Sequence, residues 1–99
     1  MSERKAYVVV EVDVTDAARY AEYTRHSIPA VAAFGGRYLA AAEPEVLEGD
    51  KPAPRVVMVE FDSHDAAVNF YRSECYQDAR KFRTNAARVS MYVVSAPER

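Results

Sequence analysis

The sequence predicts an α+β fold in which four strands form one antiparallel-rich sheet and two helices cover one of its faces. Three observations carry that reading. Valine-rich runs recur at three places along the 99 residues, and Arg37-Tyr38-Leu39-Ala40 adds a fourth strand-like stretch. Apolar residues at three- and four-residue steps fill two of the gaps between them, and Phe34-Gly35-Gly36-Arg37 closes a helix and opens a strand within four positions.

The elements follow in order. Ala6 to Asp13 alternates valines with Tyr7, Glu11 and Asp13, a strand with one aliphatic and one mixed face. Thr15 or Asp16 caps a helix whose apolar stripe runs through Ala17, Tyr20, Ala21, Thr24, Ile28 and Val31. Pro29 removes a backbone donor inside it and frees the carbonyl of Arg25, which predicts a kink or break near His26 to Ile28. Arg37 to Ala42 forms the second strand. The stretch through Pro44, Gly49, Asp50, Pro52 and Pro54 makes a long, stiff connection to a third strand over Arg55 to Phe61. Ser63 caps a helix containing Ala66, Ala67, Phe70 and Tyr71, Ser73 restarts a helical segment through Tyr76, Ala79 and Phe82, and Val89 to Val94 is the fourth strand. The order is βαββαβ.

Composition bounds the function. At 99 residues the chain is read as one domain over 1–99. Mixed charges and a net charge of −2 favour neither disorder nor a polyanion partner, so nucleic acid is not expected. No run approaches the roughly 20 apolar residues of a membrane span, and Met1 to Lys5 leads straight into a strand. Cys75 is the one cysteine, so no internal disulfide can form, which fits a reducing, cytoplasmic setting. His26 and His64 lack ligand spacing, and neither a metal site nor a cofactor is expected. GxGxxG, the phosphate loop, the nucleophile elbow and HExxH are all absent.

The second face of the sheet sets a further expectation. Val8, Val10 and Val12 oppose Tyr7 and Val9; Val57, Val59 and Phe61 oppose Val56 and Met58; Val89, Met91 and Val93 oppose Tyr92 and Val94. Two helices cover one side, so the other is expected to pair with a second copy, sheet against sheet, in a homodimer.

Several blocks along the chain resemble a known family. They are Lys5-Ala6-Tyr7-Val8 leading into Glu11-Val12-Asp13-Val14-Thr15-Asp16, Ala33-Phe34-Gly35-Gly36-Arg37, Glu45-Val46-Leu47-Glu48-Gly49, Arg55-Val56-Val57 before Glu60-Phe61, Ala66-Ala67 with Phe70-Tyr71, and Ser73 with Tyr76-Gln77. Together they are similar to the domain of unknown function 1330 family, of the dimeric α+β barrel superfamily. Where that family usually has Ser-Pro-Glu-Tyr, this chain has Ser73-Glu74-Cys75-Tyr76, and a usual Trp-Tyr pair is Phe70-Tyr71. The resemblance implies a ferredoxin-like protomer and a shared barrel of two copies, and it selects no reaction. The superfamily spans cofactor-independent monooxygenases, haem-degrading proteins, isomerase-like enzymes and simple binding proteins.

Candidate chemistry is sparse. Glu11 and Glu60 lie on neighbouring strands, where two close carboxylates perturb one another; the alternative is a pair between Glu60 and Arg37 or Arg55. His26, beside the expected kink, is a candidate base along with Glu60, and Tyr23, one turn away and off the main stripe, is expected to converge with it. Phe34 and Arg37 join Tyr23 as candidate ligand contacts, and Arg83 is a candidate fork for a carboxylate in a basic run with Arg72, Arg80, Lys81 and Arg88. Cys75 reads as a buried filler or a helix-start thiol. The leading expectation is a cleft between helix and sheet that takes a small aromatic or acidic organic molecule; a cofactor-free enzyme and a structural module without a pocket are the alternatives.

Overall fold

The computed structural model describes residues 4–97; Met1 to Glu3, read above as a lead into the first strand, and residues 98–99 lie outside it. Strand β1 spans Ala6–Val14, helix α1 Ala17–Ala33, β2 Arg37–Ala42, β3 Arg55–Phe61, α2 His64–Arg72, α3 Glu74–Arg80 and β4 Ala87–Ser95, with one 3₁₀ turn at Lys81–Arg83. All three strand pairings are antiparallel and the sheet order is β2-β3-β1-β4.

Each boundary has a local cause. Asp16 accepts from the Arg19 amide at 3.2 Å and starts α1. At the other end the Gly35 amide donates to the Ala32 carbonyl and the Gly36 amide reaches back to Val31, a Schellman stop that needs the left-handed φ of +76° at Gly35. Gly36 serves a different purpose. A Cβ there would lie 2.6 Å from Val31 Cγ1 and 2.9 Å from the Phe61 ring, so the turn presses directly on the core. Ser73 separates α2 from α3: its hydroxyl donates to the Phe70 carbonyl at 2.7 Å and accepts from the Tyr76 amide at 3.2 Å, closing one helix and capping the next.

Two expectations are corrected. Helix α1 runs unbroken through Pro29. Pro29 and Arg25 are both exposed, so water can satisfy the freed carbonyl without a break. Cys75 is exposed, not a buried filler; it lies 3.5 Å from the Ser73 hydroxyl at the start of α3.

The core lies between sheet and helices. Ala6, Val8, Val12, Val59 and Phe61 meet Tyr23, Ala30, Val31, Ala67, Phe70 and Tyr76, all buried. The described residues form a slab of 44 × 37 × 16 Å, the thickness of one sheet and one helix layer. Its far face carries Tyr7, Val9, Val56 and Met58, half-buried, with Tyr92 and Val94 exposed at 44 % and 49 %. Register puts Glu60 opposite Tyr7 and Glu11 opposite Val56, so both carboxylates share that face but stand four positions apart, about 13 Å along the strands.

Candidate active or binding cleft

Helix α1 stands away from the sheet far enough to leave a cavity of about 290 Å³. Val8 and Val10 of β1, Val57 and Val59 of β3, and Met91 of β4 form its floor. Tyr20, Tyr23, Thr24, Ser27, Ile28 and Val31 descend from α1, at the three- and four-residue steps of a single face. Tyr38 and Ala41 of β2 and Arg55 of β3 complete one side, and Phe70 and Tyr76 close another. The walls are therefore aliphatic and aromatic, with phenol and alcohol tips and one guanidinium among the lining side chains.

The polar centre is a pair of phenols. Tyr23 and Tyr76 hold their hydroxyls 2.8 Å apart with the rings edge to face. Two hydroxyls carry two protons, and the bond between them uses one, so one O–H is left to donate elsewhere. Burial, and then Tyr76, push the Tyr23 phenol well above its ordinary value of 10.0, so it stays a neutral donor. Tyr20 and Tyr38, each with burial as the first cause, shift the same way. Behind the pair, Arg83 lays its guanidinium over the Tyr23 ring, Cζ 5.5 Å from the centroid, with a buried Nε that has no hydrogen-bond partner.

The other candidates sit elsewhere. His26 points away from the cleft: it pairs with Glu22 at 3.1 Å and stacks flat on Phe82 with ring centroids 4.3 Å apart. The expected convergence of Tyr23 and His26 fails although i,i+3 neighbours lie only about 60° apart on a helix: His26 sits at the exposed flank of the stripe, where Glu22 and Phe82 hold its ring, while Tyr23 is buried against Tyr76. Tyr23 itself belongs to the buried stripe of Tyr23, Ser27, Ala30 and Val31, not beside it. Phe34 caps α1 and meets Phe70 edge to face at 6.3 Å, outside the cavity lining.

Glu60 lies on the far face of the sheet, where Arg37 binds it through Nε at 3.0 Å and Nη2 at 2.7 Å. Arg37 also reaches Asp62, and Lys5, then Arg37, hold the Asp62 carboxyl below its usual range. Glu11 accepts from the Tyr92 hydroxyl at 2.7 Å. The two carboxylates thus have separate partners and stand apart along the strands. His64 is an exposed first-turn residue 3.9 Å from Asp65. Among the described residues no three His, Cys, Asp or Glu side chains gather to hold a metal ion, and no helix is long and apolar enough to cross a membrane.

Tyr20, Tyr38, Tyr76, Ser27 and Arg55 are cleft residues that sequence reasoning did not single out. Ser27 four residues after Tyr23 was the available signal, since a small polar residue on a buried helical stripe leaves room beside its neighbours.

Known proteins share this fold. The family model described as Domain of unknown function (DUF1330) matches residues 5–97. A protein of unknown function from Rhodopseudomonas palustris superposes with a TM-score of 0.75 at 22 % identity, over 98 % of this chain and 85 % of that one. SnoaB, a cofactor-independent oxygenase from Streptomyces nogalater, gives 0.68 at 13 % identity over 97 % and 96 %. A hypothetical protein from Arabidopsis thaliana gives 0.70 at 8 % identity over 98 % and 92 %. At these identities the likeness is one of fold. No curated protein sequence matches the chain.

Proposed function

The chain belongs to the DUF1330 family, and on that premise we propose that it works as a homodimer whose α1–sheet cleft binds a small, flat aromatic or acidic organic molecule without a resident cofactor. One observation carries the reading: an apolar cavity of about 290 Å³ has the Tyr23–Tyr76 hydroxyl pair among its walls, with a proton to spare. Apolar walls supply affinity by burying the ring. The free phenol proton supplies orientation, because a carbonyl, carboxylate or phenolate oxygen on the ligand is the acceptor it lacks. Arg55, at the side of the cavity, suits a carboxylate.

Self-association follows from the far face. Its apolar centre of Tyr7, Val9, Val56, Met58, Tyr92 and Val94 is rimmed by charges already paired within the protomer, Arg37 with Glu60 and Arg88 with Asp13 at 2.7 Å. The ion pairs at the rim meet a copy of the face already neutralised, and Glu11, on the same face, keeps the Tyr92 hydroxyl as its donor.

A second reading is a cofactor-independent enzyme, which the fold shared with SnoaB supports. The phenol donor would then hold the oxygen of an enolate formed from the ligand. No His, Asp or Glu lines this cavity, so the base would be the ligand's own group or come from another part of the assembly.

A thermal-shift series of benzoate, acetophenone, phenol and their ring-substituted analogues tests the binding. A ligand at a hundred times its Kd adds about 2.7 kcal/mol, or upwards of about 10 °C in Tm for a chain this size. Tyr23→Phe combined with Tyr76→Phe, which removes both hydroxyls able to hold the spare proton, is expected to weaken that ligand about tenfold, the worth of one neutral hydrogen bond. A flat response across the series would point instead to an interaction module without a ligand.

A further inference from the structure

A second hollow, of about 480 Å³, opens on the same helix-covered face of the sheet, between α2, α3 and the edge strand β4, and shares Val8 and Met91 with the first. Val8, Val89 and Val93 line it from the sheet and Val68 from α2. Arg72, Arg80 and Arg83 line it too, and no carboxylate does. None of the three has an ion-pair partner among the described residues. Arg80 donates to the Gln77 amide oxygen at 3.3 Å and lies over the Tyr71 ring, Cζ 6.0 Å from its centroid, while Asp78 on the same helix is taken by Lys81 at 3.2 Å.

Helix polarity accounts for part of this. Arg72 and Arg80 sit in the last turns of α2 and α3, where a cation offsets the exposed carbonyls. It does not account for Arg83, which is half-buried with its Nε shut off from water and bonded to nothing. An unpartnered guanidinium nitrogen in such a place costs free energy unless an acceptor arrives. A cation with an unfilled donor, two more guanidinium groups and an aliphatic floor form one composite surface.

We propose that this groove is a second binding site, separate from the α1 cleft, for an amphipathic organic carboxylate. Arg83 holds the carboxylate with Arg80 and Arg72 around it, and the hydrocarbon chain lies over Val8, Val68, Val89 and Val93. A forked guanidinium matches the two oxygens of a carboxylate. The valines exclude a bare inorganic anion as the best fit, because it would leave the apolar floor uncovered.

Sodium octanoate, titrated into the intact protein and followed by valine methyl NMR and calorimetry, tests the assignment. Octanoate is expected to shift Val68, Val89 and Val93 and to leave Val57 in the α1 cleft unmoved. Arg83→Gln should weaken it at least tenfold. The exposed pair Arg72→Gln/Arg80→Gln, which leaves the core intact, should weaken it several-fold. 1-Octanol and inorganic phosphate should each bind at least tenfold more weakly. Equal affinity for 1-octanol or phosphate, shifts at Val57 in place of Val93, undiminished affinity in the double variant, or no binding would each overturn the site.

Discussion

Gly36 and Tyr23 show how single residues decide this structure. Alanine at Gly36 would put a methyl 2.6 Å from Val31 and 2.9 Å from Phe61, two buried side chains, and is expected to cost about 1 to 3 kcal/mol in urea unfolding. Tyr23 carries a pH signature. Its folded-state phenol titrates above its ordinary value of 10.0, through burial first and Tyr76 second, so above that pH the unfolded chain releases a proton that the folded one keeps. The stability it contributes is whole below pH 10 and is lost as the pH climbs from there towards the folded-state value, at up to about 1.4 kcal/mol per unit. Tyr23→Phe should flatten that alkaline slope in denaturation measured between pH 9 and 11. Tyr23 was legible as a candidate and lines the cleft, but its place on the helix was not legible. Ser27 and Ala30 made the true buried stripe look polar and small, and the spacing through Thr24 and Ile28 looked better.

At the scale of elements, alternation was the strongest signal, and β2 and β3 begin and end where turn residues and valines put them. Helix α1 was read correctly in span and wrongly in continuity, because the cost of Pro29 depends on which side of the helix it faces, a fact absent from local sequence. The exposed proline still deletes one hydrogen bond and strains its turn, so Pro29→Ala should stabilise the protein by about 1 to 3 kcal/mol, seen as a rise in Tm of at least about 4 °C. The same dependence on facing explains His26, Arg37 and Glu60. Each was picked for its chemistry, and each lies away from the α1 cleft, on the outer side of α1 or on the far side of the sheet. Pairing across strands, not spacing along them, put Glu60 with Arg37 and Glu11 with Tyr92.

The whole molecule is a slab 16 Å thick with apolar side chains on the face its helices do not cover. That shortage of cover was visible in the alternating strands before any coordinates, since both sides of each strand carry apolar residues. The cleft was less visible, because a cavity depends on how far α1 stands off the sheet, which no periodicity records. Light scattering is expected to give twice the 11.1 kDa chain mass, and Val9→Lys with Met58→Lys, both on the far face, should reduce it to one chain with the fold retained. The cleft itself is tested most directly by methyl NMR of the protein titrated with benzoate and acetophenone. Shifts at Val10, Val57, Val59 and Met91 for at least one of them, weakened about tenfold by Tyr23→Phe combined with Tyr76→Phe, are the predicted result. Unmoved methyls with both probes, or affinity indifferent to the loss of both hydroxyls, would contradict it.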